Sequence, residues 1–174
     1  MLMQQDFFGL FGLPRAYTLD GAALDAAYRA LQGRVHPDQF ALHSDAERRV
    51  AMQWATHANE AYQTLKSPLQ RGIYLLKLEG QDIDAENNTA MDKAFLMEQM
   101  EWREQVEDAS AASNVDELDT LLKALRNDKK TRYAKLAGWL ESRAWQPACE
   151  AARQLLFLEK VDAEIGDQLE RLEA

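Results

Sequence analysis

Cysteine, proline and glycine are scarce in this chain, and each scarcity removes a class of protein. A single cysteine, Cys149, among 174 residues excludes an internal disulfide and any cysteine-only metal or iron–sulfur site within one chain. Its neighbours Ala148, Ala151 and Ala152 predict a packed helix position and an inert thiol. The four prolines and eight glycines fall mostly at segment ends, and alternation of β-branched residues is nearly absent, so little argues for strands. No apolar run approaches the roughly 18 residues that cross a bilayer. Residues 1–6 place no basic segment ahead of an apolar one, so no secretory signal is expected. A soluble, cytoplasmic protein is the expectation. No nucleophile–base pair, phosphate-cradling glycine loop or metal-ligand cluster stands out, and the three histidines, His36, His43 and His57, are scattered. The residues therefore call for no catalytic group, cofactor or metal.

Apolar residues make up 47% of the chain, enough for a packed core. The net charge of -9 is unevenly spread. Residues 1–80 carry eight basic and eight acidic side chains, whereas residues 81–174 carry twelve basic and twenty-one acidic ones. The two halves present different fields, and the acidic second half argues against nucleic acid, which needs a basic face.

Helical spacing accounts for nearly everything that remains. A short helix at about 6–11, rich in phenylalanine, stops at Gly12-Leu13-Pro14; Phe7, Phe8, Leu10, Phe11 and Leu13 form a first core block. Asp20 is a cap for a helix to about Val35, whose Leu24, Ala27, Tyr28, Leu31 and Val35 make one apolar stripe. Ser44 with Glu47 predicts a capping box opening a long helix whose inward residues are Val50, Trp54, Ala58, Ala61, Tyr62 and Leu65. Ser67-Pro68 ends it and starts another helix, closed by Gly80. That helix is apolar on most sides, as expected of an element covered by both halves. Residues 81–90 read as a linker. Helices at about 91–109, 115–140 (capped by Asn114) and 146–172 follow, and their short connections predict an antiparallel bundle.

His36-Pro37-Asp38 separates two of these helices. Proline fixes φ and removes a donor, so the helix ends near His36 and the two polar side chains project from a stiffened turn. The short aromatic helix, the amphipathic helix, this tripeptide and a long helix ending in Asn59-Glu60-Ala61-Tyr62-Gln63-Thr64-Leu65 together resemble the J domain of DnaJ-type co-chaperones, over about residues 6–76. The resemblance implies that His36, Pro37 and Asp38 form the loop that stimulates ATP hydrolysis by a DnaK-type chaperone, with the basic face of the preceding helix meeting that partner. Only Arg29 and Arg34 supply that face here. Gln39 stands where the family usually has lysine, a loss expected to weaken electrostatic steering without altering the turn.

Residues 94–104 carry too many apolar faces for one helix of a bundle. Phe95, Trp102, Val106 and Ala109 form a core stripe. Leu96, Met97 and Met100 fall on another face, bordered by Glu101 and Glu104, and an apolar patch with a charged rim commonly marks a partner site. Packing against the amino-terminal half is the alternative for that face. The Phe-Leu-Met-Glu-Gln run at 95–99 and the Arg-x-x-x-Phe-Leu-x-Lys pattern at 153–160, with Leu156 before Phe157, are similar to the HscB family of iron–sulfur co-chaperones over essentially the whole chain. Animal relatives carry an additional amino-terminal metal domain, so the likeness is to the bacterial form. That resemblance implies binding of the scaffold protein IscU through Leu96, Met97, Met100, Glu101, Glu104 and Phe157, and delivery to an HscA-type chaperone. The expected fold is all-α and L-shaped: a J domain with its connecting helix (1–80), the linker (81–90) and a three-helix bundle (91–174). A J protein with another client, a bundle serving self-association, and an acid–base pair of His36 and Asp38 are the competing readings.

Overall fold

The computed structural model describes residues 5–35, 44–83 and 91–173, and within them the chain is helical, without strands. His36, Pro37, Asp38, Gln39 and His43, and the 84–90 part of the expected linker, lie outside the described residues. Seven helices are described: α1 (Phe7–Leu10), α2 (Gly21–Val35), α3 (Asp45–Lys66), α4 (Pro68–Leu78), α5 (Lys93–Ala111), α6 (Val115–Glu141) and α7 (Trp145–Glu173).

Their boundaries follow from local hydrogen-bond chemistry, because a helix start leaves backbone donors unpaired. The Asp6 carboxylate accepts from the Gly9 amide at 2.9 Å. Asp20 accepts from the Ala22 and Ala23 amides at 2.9 and 3.2 Å. Ser44 and Glu47 form a reciprocal capping box: the Glu47 amide donates to Ser44 Oγ at 3.3 Å and the Ser44 amide to Glu47 Oε2 at 3.0 Å. Ser67 Oγ accepts from the Gln70 amide at 3.3 Å, with Pro68 at the first helical position, where it lacks only a donor that would be orphaned anyway. Gly80 takes a left-handed φ of 74°, which lets the Gln81 amide return to the Leu76 carbonyl at 2.9 Å.

The chain divides into two compact units, Met1–Leu75 and Leu76–Ala174. In the first, α2 and α3 form a hairpin with α1 against α3. Phe8, Phe11, Leu24, Ala51, Ala58, Ala61 and Leu65 are buried. Val50, expected on the inward stripe, is 50% exposed. Ala51, Ala58 and Leu65 repeat every seven residues and set the phase of α3, which turns Val50 about 100° away. The Asn59–Leu65 run turns out to be a clasp. Tyr62 stacks on Tyr28 at 4.0 Å between centroids and donates its hydroxyl proton to Asp25 at 2.9 Å. Lys66 donates to the same carboxylate oxygen at 2.6 Å, and the Tyr28 hydroxyl donates to Asn59 Oδ1 at 3.2 Å.

In the second unit, α5, α6 and α7 pack as an antiparallel bundle around Phe95, Val106, Ala109, Leu118, Leu121, Leu122, Leu125, Leu158, Val161 and Ile165. Advancing along α6 while retreating along α7, Arg126 pairs with Asp162, Lys129 with Glu159 and Asp162, and Arg132 with Gln154. Ile83 is buried in the same unit, and its carbonyl accepts from Arg153 at 3.4 Å. Two turns of one design join the helices. The Asn114 amide reaches back to the Ala109 carbonyl at 2.9 Å, and the Ala144 amide to the Trp139 carbonyl at 2.8 Å. In each the residue before the returning amide is left-handed, Ser113 at φ 51° and Arg143 at φ 56°, where glycine is the residue without a steric penalty.

Arg143 is exposed, so Arg143→Gly should raise the unfolding free energy, by about 0.5–1 kcal/mol, as read by chemical denaturation. A second expectation concerns acid. Burial alone pushes the Asp162 carboxyl up, but hydrogen bonds from Arg126 and Lys129 overcome this and hold it below the usual carboxylate range. A depressed folded value contributes stability above the unfolded pKa, and the contribution is lost as pH falls through the folded one. Asp162→Asn should therefore be less stable than the parent at neutral pH, with the gap closing as the solution is acidified below the ordinary aspartate range.

Candidate functional site

The rotation of α5 decides which of its side chains meet solvent. Phe95, Gln99, Trp102, Val106 and Ala109 are spaced by four, three, four and three residues, the seam of a helix docked on a bundle. All but the half-buried Trp102 are buried. Leu96, Met97 and Met100 lie off that seam and are 43%, 64% and 70% exposed. Glu101 and Glu104 are also exposed, one turn further on. Five of the six residues named from sequence thus stand in solvent on one helix.

Phe157, the sixth, comes from α7 and is half-buried. It packs edge-to-face on Phe95, with centroids 6.1 Å apart and planes at 80°. The Arg103 guanidinium lies over its ring, 5.2 Å from the centroid. The opposite end of this aromatic pair is covered too: the Arg132 guanidinium sits 5.0 Å from the Phe95 centroid. Phe157 is therefore partly a packing residue, with its position set by Phe95.

Two participants escaped sequence reasoning. Gln99 is buried at 4% exposure, although a glutamine inside an apolar seam carries no hydrophobic signal; only its heptad position gives it away. Arg132 reads as an ordinary charged residue of α6, yet its side chain is only 18% exposed and it contacts all three helices.

In the first unit Arg29 and Arg34 are both exposed on α2, and Arg29 Nε donates to the Asp25 carbonyl at 3.2 Å. Five residues apart, they are separated by roughly 140° around the helix, so they form no compact basic patch. The His57 ring is held edge-on between Phe7 (5.5 Å) and Trp54 (6.1 Å) as a packed aromatic. Cys149 is buried, and burial pushes its thiol pKa up, which disfavours the reactive thiolate. Among the described residues no group of histidine, cysteine, aspartate or glutamate could hold a metal, and no helix is long and apolar enough to cross a membrane.

Known proteins share both sequence and architecture. Residues 91–166 match the family model described as the HSCB C-terminal oligomerisation domain. The co-chaperone protein HscB homolog of Burkholderia thailandensis is 61% identical over 171 residues, covering 98% of both chains. That of Paraburkholderia phymatum is 60% identical over the same span. The structure of the chaperone HscB from Vibrio cholerae superposes with a TM-score of 0.87 at 39% identity, over 97% of this chain and 99% of that one. Human co-chaperone protein HscB superposes with a TM-score of 0.88 at 29% identity, over 94% of this chain and 81% of its own. With identity of this level running almost end to end, the chain belongs to the HscB family of co-chaperones.

Proposed function

We propose that this co-chaperone binds the iron–sulfur scaffold protein IscU through its second unit and brings it to an HscA-type chaperone, whose ATP hydrolysis it stimulates through the His36-Pro37-Asp38 turn. The observation that carries the proposal is the uncovered face of α5. Three large apolar side chains, Leu96, Met97 and Met100, stay in solvent although the same helix buries a complete seam. A folded chain leaves such a face open when a partner covers it. Methionine suits the role because its unbranched thioether repacks against whatever arrives. Glu101 and Glu104 border the patch and orient the partner, and Phe157 closes it from α7. In the first unit Arg29 and Arg34 lead toward the turn and supply what cationic steering there is. Engaging both proteins with one chain raises the concentration of scaffold at the ATPase, so no large affinity is required of either contact. Action on two soluble proteins makes the cytoplasm its place of work.

A second reading is favoured by the description of the matched family model, an oligomerisation domain. A second copy of this chain would then cover the α5 face. Sedimentation across a range of concentrations separates the two: a chain that stays monomeric while binding IscU supports delivery.

His36→Gln should fold normally, retain IscU binding and lose stimulation of HscA, read as steady-state ATP hydrolysis with and without the scaffold. Full stimulation by that variant would break the assignment of the turn. Leu96→Ala combined with Met97→Ala should leave the melting temperature almost unchanged, because both side chains are exposed, and weaken IscU binding by at least ~1 kcal/mol. Phe95→Ala is the contrast: buried at 3% exposure, it should cost about 3–5 kcal/mol of stability.

A further inference from the structure

The α5 helix joins its bundle through a single seam, whereas the surface assigned above to the scaffold draws on two helices, α5 and α7. Such a surface has a defined shape only if the spacing between them is fixed where it forms. Phe95 and Arg103 of α5 both meet the Phe157 ring of α7 there, and one side chain of the third helix reaches α5 and α7 together. Arg132 of α6 donates from Nη2 to Glu98 Oε2 of α5 at 3.3 Å. It donates from Nη1 to Gln154 Oε1 of α7 at 2.6 Å. Its Nε donates to Asp128 Oδ2, one turn back on α6, at 2.8 Å. Its guanidinium carbon stands 5.0 Å from the Phe95 centroid.

The residues it holds are those that frame the patch. Phe95 and Glu98 flank Leu96 and Met97. Gln154 lies three residues before Phe157, one turn along α7, and Phe95 is the ring against which Phe157 packs. A planar guanidinium makes these directed bonds and the aromatic contact at once; an ammonium on a flexible stem does not. Its side chain is only 18% exposed, so the bonds are less screened than surface pairs.

We infer that Arg132 is the positioning residue of the interaction surface: it touches no partner, but locks α5 to α7 so that Phe157 and the Leu96–Met100 patch are presented as one preformed shape. This rests on the scaffold-binding reading above. Preorganisation of this kind raises affinity by removing the ordering cost from the binding step.

The experiment is a coupling measurement with IscU by titration calorimetry. Arg132→Leu, checked for folding by its thermal melt, should weaken binding by roughly tenfold, and Arg132→Lys, which keeps the charge but not the fork, should fail to restore it. In a Phe157→Ala background the same Arg132→Leu change should cost little more, because there is no longer a second helix to align. The methyl resonances of Met97 and Met100 should shift in Arg132→Leu without any partner present. Undiminished binding by folded Arg132→Leu, full rescue by lysine, or an equal loss in both backgrounds would overturn the inference, the last because a merely stabilising arginine acts the same in either. Should Arg132→Leu not fold, Glu98→Gln at an exposed position serves instead, with a smaller loss that again vanishes alongside Phe157→Ala; an unchanged affinity there overturns the inference. If the parent chain does not bind IscU, or binds it equally after Leu96→Ala and Met97→Ala, the scaffold reading itself has failed and this inference falls with it.

Discussion

The docking of α5 by one heptad seam is the constraint from which the character of the second unit follows. A helix with apolar residues on two faces can bury only one of them against a hairpin of two partners. Phe95, Gln99, Trp102, Val106 and Ala109 occupy the seam, and Leu96, Met97 and Met100 are thereby forced outward. Exposure here is a consequence of phase. Rotating the helix by about 100° would bury the methionines and expose Phe95, whose ring carries both Phe157 and the Arg132 contact. The aromatic pair therefore selects the rotation that leaves the patch open.

The same economy appears in the first unit, where one carboxylate and two stacked rings hold a hairpin. Asp25 accepts from both Tyr62 and Lys66, and those hydrogen bonds, against a smaller opposing effect of desolvation, hold its carboxyl below the usual range. Lys66 is pushed up by the same contact. The ion pair itself is half in water and contributes modestly. Its directional value lies in fixing the rotation of α3 against α2 beside the Tyr28–Tyr62 stack, which sets the register of the two helices.

Much of this was legible in the chain, and what was not has physical causes. The caps at Asp20, Ser44, Ser67 and Asn114 are local chemistry, needing nothing beyond the next three residues, and each helix starts beside its cap. Apolar spacing located the α5 seam and the patch beside it. It misplaced Val50, because phase in α3 is set by alanines that look neutral in sequence but allow close helix approach. It missed Gln99 and Arg132 for a related reason: side chains with polar tips become internal only through partners far along the chain, and no local pattern records that.

Charge separates the two units in kind as well as in amount. The second carries the whole formal excess, twenty-one acidic against twelve basic residues over 81–174. Four of its twelve basic residues, Lys123, Arg126, Lys129 and Arg132, each pair with a carboxylate of the same bundle. Part of the acidic excess stands on the α5 face, where Glu101 and Glu104 are exposed beside the methionines. Rim charges of this sort act mainly on the rate of encounter and the choice of partner, while the apolar centre governs how long a complex lasts. An acidic surround also repels a second copy of itself, so like-charge repulsion weighs against self-association as the occupant of the patch and in favour of a partner with a basic face.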